Sequence, residues 1–333
     1  MIMAKNIKKT ILKGGSLSGT YLCTPDTGES FVRKDVSLVE NREYGFQRWY
    51  SQLKRLQRYG SMFPGIFPKL IDYGRDGDLA YFNIEFIEGA QTVHEFVSQT
   101  SNTQLIDAMF AKLVSVMGKM HKTELPSFEP SFALYIYEEL EQKINACVRN
   151  VRFQEFSSHP EIFFNGEKVA GMRHILNEYV EMFQSVYKKP TETFTHGNLT
   201  LENILYQPSN NKIIFIDPYE ENIIDSNLSE YSQILQSSNS LYELYNAATP
   251  IIEGNRVSIE IEIPNGLKYF NELFTSFMVK TLSSDQIKVV RLLEISQYAR
   301  MLPFKMVNDE DKMLCFYALG SYLFHELKLD WEK

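Results

Sequence analysis

No window of this sequence approaches the roughly 18 uninterrupted apolar residues of a membrane span. The opening stretch, "MIMAKNIKKTILKGG", breaks its short apolar content with lysines and lacks the apolar core of a signal peptide. No membrane span and a cytoplasmic location are therefore expected. A block of Lys and Arg is also missing, and the formal charge is −8, so a nucleic-acid partner held through its phosphates is not expected. Cysteine is scarce. Cys23, Cys147 and Cys315 are odd in number, far apart and without CxxC spacing, which predicts buried free thiols and gives no support to a disulfide framework or a zinc site. What remains is ordinary: 44% apolar and 23% charged residues predict a folded globular chain rather than a disordered one. Its 333 residues suffice for about two domains or one large bilobal unit.

Up to about Phe86 the pattern is mostly strand-like. "KTILK", "TYLCT", "SFVRK", "FPKLIDYG" and "LAYFNIEFI" are short β-branched or aromatic runs set apart by Gly, Pro and Asp. Between the third and fourth, from about Asn41 to Arg58, Phe46, Trp49, Tyr50, Leu53 and Leu56 recur at helical spacing. This order predicts a small antiparallel sheet with one packed helix. After Gly89 the character changes to long segments such as "TQLIDAMFAKLVSVMGKMHK", "SDQIKVVRLLEISQYARML" and "DKMLCFYALGSYLFHELKL", each with an apolar stripe and a polar opposite face. The predicted division is therefore an N-terminal lobe over 1–88 and a helical lobe over 89–333, the latter interrupted by a strand–loop–strand segment around 192–217. One stretch stands apart: "VSIEIEI", residues 257–263, alternates with period two and predicts a hairpin or edge strand.

Four features carry chemistry. In "LKGGSLSGTYLC", Gly14, Gly15, Ser16 and Gly19 lie between two strand-like runs, where glycines bring backbone N–H groups close to an anion such as a phosphate chain; a plain hairpin turn needs the same residues. In "SFVRK", Val32 and Lys34 share a strand face, and Lys34 can reach phosphate oxygens as a point charge. A helical carboxylate would hold its ammonium, with Glu43 the better candidate and Glu40 the alternative. "YFNIEFIEG", residues 81–89, reads as an extended linker whose backbone could hydrogen-bond a flat heteroaromatic ring. The fourth is "THGNLTLENIL" with "KIIFIDPYEEN". Asn203 and Asp217 are hard oxygen ligands suited to Mg²⁺, His196 reads as a packed structural residue, and Asn198 stands where the loop could present a side chain to a hydroxyl nucleophile. Glu220, Glu221 and Asp225 follow, either as solvated loop acids or as the lining of an acceptor pocket.

Together these residues resemble the protein-kinase-like phosphotransferases, in the branch of aminoglycoside phosphotransferases and choline kinases. That branch's catalytic loop reads H-G-D-x-x-x-x-N and its metal segment I-D; this chain has "HGNLTLEN" and "FIDPYEEN". "IEFIEG" looks like the branch's interlobe hinge, and "LVSVMGKMHK" resembles its first large-lobe helix. With "ILQSSNSLYE" following, the loop further resembles phosphotransferases encoded with bacterial capsule and surface-polysaccharide enzymes. The resemblance implies an α+β, bilobal, protein-kinase-like fold using ATP and Mg²⁺. It implies that Lys34 contacts the α/β-phosphates and pairs with Glu43, and that adenine lies against the Glu85 carbonyl and the Ile87 N–H. Gly15, Ser16 and Gly19 would complete the nucleotide site, and Asn203 and Asp217 would hold the metal. The acceptor would be a small hydroxylated molecule, such as a sugar or amino alcohol.

One residue departs from that pattern. The family's catalytic Asp corresponds to Asn198, which can accept a hydrogen bond but cannot take a proton near neutrality. Three readings follow: an active small-molecule kinase whose chain here carries an Asp-to-Asn substitution that traps a substrate complex; a natural pseudokinase acting as a nucleotide-binding scaffold; or a kinase fold catalysing nucleotidyl transfer. A single near-isosteric change in an otherwise complete site favours the first.

Overall fold

The computed structural model describes residues 7–12, 19–39, 42–125, 131–219 and 222–331, with the backbone alone at Arg42, Glu43, Tyr44 and Arg48. The fold is α+β, with an antiparallel sheet lobe and a larger, mainly helical part. Two compact units interleave along the sequence. One comprises Met1–Phe96, Ala108–Met120 and His196–Asn222, and the other Val97–Asp107, His121–Thr195 and Ile223–Lys333.

The first unit is built on five antiparallel strands, β1 (Ile7–Ile11), β2 (Gly19–Pro25), β3 (Phe31–Ser37), β4 (Leu70–Asp76) and β5 (Leu79–Glu85), in the order β1-β2-β3-β5-β4. Lys34 lies mid-strand, opposite Thr20 on β2 and Phe82 on β5, because β3 runs on to Ser37 rather than ending at the lysine. Helix α1 (Arg42–Met62) crosses between β3 and β4 and buries Leu53, Leu56 and Tyr59. Its first turns differ from the sequence expectation. Phe46 and Tyr50 are 39% and 45% exposed and stack on each other at 5.9 Å, so the apolar spacing there marks an outward face. The buried position is Gly45, where a Cβ would come within 3.0 Å of Val36.

After β5 the chain runs through the linker to a short strand, β6 (Gln91–Thr92), then to α2 (Val93–Gln99) and α3 (Thr103–His121). The strand Ile204–Gln207 pairs with both β6 and Lys212–Phe215, forming a three-stranded sheet that carries the polar loop on one end. Phe215 N–H donates to Ile66 O at 2.8 Å, which fixes this sheet to the segment after α1.

The second unit contains the helices Met172–Val186, Asn227–Ser238, Asn265–Thr281, Ser284–Asn308 and Glu310–Trp331. The last two lack the polar face expected of them. Glu294, Ser296, Gln297, Lys305 and Lys312 are buried along with their apolar neighbours and are paired within the protein: Asn239 Nδ2 donates to Glu294 Oε1 at 2.8 Å, and Lys305 Nζ to Asn246 Oδ1 at 2.6 Å. A four-stranded sheet also lies here, with Ile251–Glu253, Arg256–Ser258, Glu161–Phe164 and Glu167–Ala170 in that order. The alternating stretch 257–263 thus contributes only Val257 and Ser258 to a hairpin strand; beyond it Ile259 N–H donates to Asn165 Oδ1 at 2.8 Å.

Candidate active site

Residues 193–204 form a nearly buried run in which Asn198, Glu202 and Asn203 keep partial exposure. That pattern turns three polar side chains outward from an apolar bed. His196, fully buried, belongs to the bed: its ring lies parallel to Phe67 at 6.2 Å and edge-on to Phe215 at 5.8 Å. The Asn198 N–H donates to His196 Nδ1 at 3.3 Å, so the proton of the neutral ring sits on Nε2, which donates to Ile216 O at 2.7 Å. His196 therefore clamps the loop to the strand end before Asp217.

The loop closes on itself by further bonds. Thr200 N–H and the side-chain amide of Asn203 both donate to Asn198 O, at 3.0 and 2.7 Å, and Ile216 N–H donates to Asn203 O at 2.9 Å. Asn198, Asn203 and Asp217 are thereby held on one loop cluster at the end of a single small sheet. Gly197 is required within it. At φ +85° its missing Cβ would lie 2.0 Å from Tyr219 O and 2.6 Å from Arg55 Nη1, so only glycine fits.

Asp217 has φ +60°, a left-handed backbone uncommon for a non-glycine residue. Its carboxylate pairs directly with Lys34 Nζ, 183 residues earlier in the chain. The lysine side chain is 7% exposed and the aspartate 24%, so the pair is mostly shielded but open on the acid's side. Next to Lys34, Asp35 pairs with Arg33, and burial raises its carboxyl pKa against the opposing pull of that guanidinium.

The other predicted positions lie on further segments or outside the described residues. Gly14, Gly15, Ser16, Glu40, Glu220 and Glu221 lie outside the described residues, as does the side chain of Glu43. Gly19 is a strand residue opposite Asp35, where a Cβ would lie 2.6 Å from Asp35 Oδ1 and from the Tyr21 ring. Glu85 is bound to Lys69 at both ends: its N–H donates to Lys69 O at 2.9 Å, and its carboxylate accepts Lys69 N–H at 3.2 Å. Ile87 O accepts Ala90 N–H at 3.2 Å in a turn that Gly89 completes at φ +69°. Gln207 ties this linker to the loop's own sheet by donating to Glu88 O at 2.6 Å. Asp225 accepts the Thr195 hydroxyl, a structural use of that acid. Sequence reasoning missed Arg55, which is 4% exposed and donates from Nη1 to His196 O at 3.0 Å and to Tyr219 O. A cation between the buried Leu53 and Leu56 was the available signal.

No family model matches the sequence, and no curated protein matches it. Solved structures do. A protein assigned as a fructosamine-3-kinase, from Haemophilus somnus 129PT, superposes with a TM-score of 0.56 at 11% identity, over 97% of this chain and 92% of its own. The chain shares that kinase's fold. An aminoglycoside-3′-phosphotransferase of type VIII is a looser likeness, with a TM-score of 0.49 at 15% identity over 86% of this chain and 93% of its own. Among the described residues no helix is long and apolar enough to cross a membrane.

Proposed function

We propose that this chain is built as an ATP- and Mg²⁺-dependent phosphotransferase that moves the γ-phosphoryl group to a hydroxyl of a small molecule, and that Asn198 limits its turnover. The observation that carries the reading is the Lys34–Asp217 pair. A buried cation from the sheet meets the acid of the loop cluster that also holds Asn198 and Asn203. The fold shared with a protein assigned as a fructosamine-3-kinase supports a small molecule as acceptor, and a sugar, an amino alcohol or a surface-polysaccharide precursor is what the sequence resemblance implies.

The donor set fits Mg²⁺. Among the described residues no group of three or more His, Cys, Asp or Glu is placed for a metal, which disfavours a dedicated all-protein cage. Magnesium uses one or two protein oxygens and completes its shell with phosphate and water. Asp217 supplies a carboxylate, and Asn203, its amide N–H committed to Asn198 O, has Oδ1 left to offer. When bound, the ion neutralises charge on the β- and γ-phosphates.

Lys34 would then exchange its aspartate partner for phosphate oxygens, as a compact cation on a flexible stem does readily. Glu85 and Ile87 would offer backbone groups to adenine, with Gly15, Ser16 and Gly19 on the phosphate side and Glu43 as second partner of Lys34. Asn198 would orient the acceptor hydroxyl but leave its proton in place. Loss of a general base commonly costs about 10²–10⁴ in rate, roughly 3–5 kcal/mol.

The test compares ATP turnover of Asn198→Asp with the present chain across sugars and amino alcohols. A gain of about 10²–10⁴ is expected. If turnover stays flat while Mg·ATP still raises the melting temperature, the nucleotide-binding scaffold replaces this reading.

A further inference from the structure

Arg55 reaches two backbone carbonyls of the loop cluster. Its guanidinium is buried on α1, lies over the Tyr59 ring at 5.1 Å, and donates from a single nitrogen to two backbone carbonyls, those of His196 and Tyr219. These carbonyls flank the reactive positions. His196 is two residues before Asn198, and Tyr219 two residues after Asp217. The two segments also bond each other there, Tyr219 N–H donating to His196 O at 2.8 Å, and Gly197 lets all of them converge. A charge-assisted donor is stronger than a neutral one, and a buried carbonyl left without its donor is costly.

We propose that Arg55 is a positioning residue: it sets the separation between the acceptor-orienting Asn198 and the metal-ligand candidate Asp217, and so couples α1 to the alignment of the site. This rests on the phosphotransferase reading for its kinetic consequence, but not for its structural one. Without Arg55 the two segments stay folded through His196 and the strand pairing, yet their mutual spacing relaxes. Ångström-scale misplacement of reacting groups commonly costs on the order of 10²-fold in rate without comparable loss of binding.

Two measurements test it. In the Asn198→Asp background, Arg55→Met is expected to lower kcat by about 10²-fold with the KM for ATP within about threefold. Arg55→Lys recovers about tenfold of that loss, because one ammonium can serve both carbonyls as Nη1 does. In the unaltered chain, amide hydrogen exchange of Arg55→Met is expected to speed up at least about tenfold at Asn198 and Tyr219 while the amides of β3 and β5 keep their rates. Faster exchange at both loop amides with no turnover in the parent Asn198→Asp enzyme would sink the phosphotransferase reading and leave the coupling standing. Unchanged exchange at those amides overturns the proposal, as does a kcat loss matched by an equal rise in KM or by a uniform rise in exchange across the unit.

Discussion

Replacing Gly197 by Ala is the sharpest structural perturbation available at this site. The backbone there sits at φ +85°, and a left-handed conformation costs an L-residue roughly 1–2 kcal/mol. The added methyl would lie 2.0 Å from Tyr219 O and 2.6 Å from Arg55 Nη1, so one segment must move away from the other. Overpacking of that kind costs about 1–3 kcal/mol, which brings the expected loss to about 2–5 kcal/mol. A typical domain has about 5–15 kcal/mol in total, so the unit carrying the site should survive but melt early. Gly118→Ala is the internal control. It lies in α3 with nothing within 4 Å of its Cβ position, and the same substitution there should stabilise by about 0.5–1 kcal/mol. Both glycines belong to the unit that contains Trp49, whereas the second tryptophan, Trp331, belongs to the other. Urea titration in a Trp331→Phe background, followed by Trp49 fluorescence, therefore reads the relevant transition. A Gly197→Ala protein within about 1 kcal/mol of its parent would refute the close approach of Arg55 and Tyr219 around that residue.

Other outcomes follow from buried groups. Burial pushes Tyr135, Tyr231, Tyr317 and Cys315 up to about 12. Below about pH 9 the tyrosines are protonated in both states and contribute no pH dependence, whereas the Cys315 thiol begins to contribute from about pH 8. Above it the unfolded chain releases protons that the fold retains, so stability falls by about 1.4 kcal/mol per pH unit for each such group; a urea midpoint that is flat from pH 9 to 11 would contradict this. Cys147 is likewise pushed up to about 12 by burial, so native thiols should be silent to a disulfide reagent at pH 8 and react only in denaturant. His121 Nε2 lies 2.5 Å from the fully buried Glu230, and His121→Ala should cost about 2–3 kcal/mol, read from the melting transition. Lys34→Met should weaken Mg·ATP binding at least about tenfold by calorimetry, and equal affinity in the two proteins would remove Lys34 from the proposed nucleotide site.

Particular residues show how much could be read in advance. The order of three strands, one helix and two strands was legible because alternation and turn residues act within windows of a few residues. The loop 195–205 was legible because its polar side chains fall together between two apolar runs, and their chemistry does not depend on context. The outward turn of Phe46 and Tyr50 was not legible. Helical spacing alone does not say which side of α1 faces the sheet, and Gly45 against Val36 decides that. Nor was the sheet of 161–170 and 251–258, whose strands pair across some 90 residues. Likewise, nothing local reveals that Glu294 or Lys312 would be buried, since Asn239 and the Tyr245 carbonyl, which pair with them, come from other elements.

Residue chemistry and local periodicity were enough to place Lys34, Asn198, Asn203 and Asp217 each on a strand or loop, because those properties reside in a few consecutive residues. That Lys34 meets Asp217 across 183 positions, that Arg55 bonds the carbonyls beside Asn198 and Asp217, and that Gly197 must lack a side chain came from packing alone. Long-range pairing is set by how whole elements close against one another, and the same local patterns are compatible with many such closures.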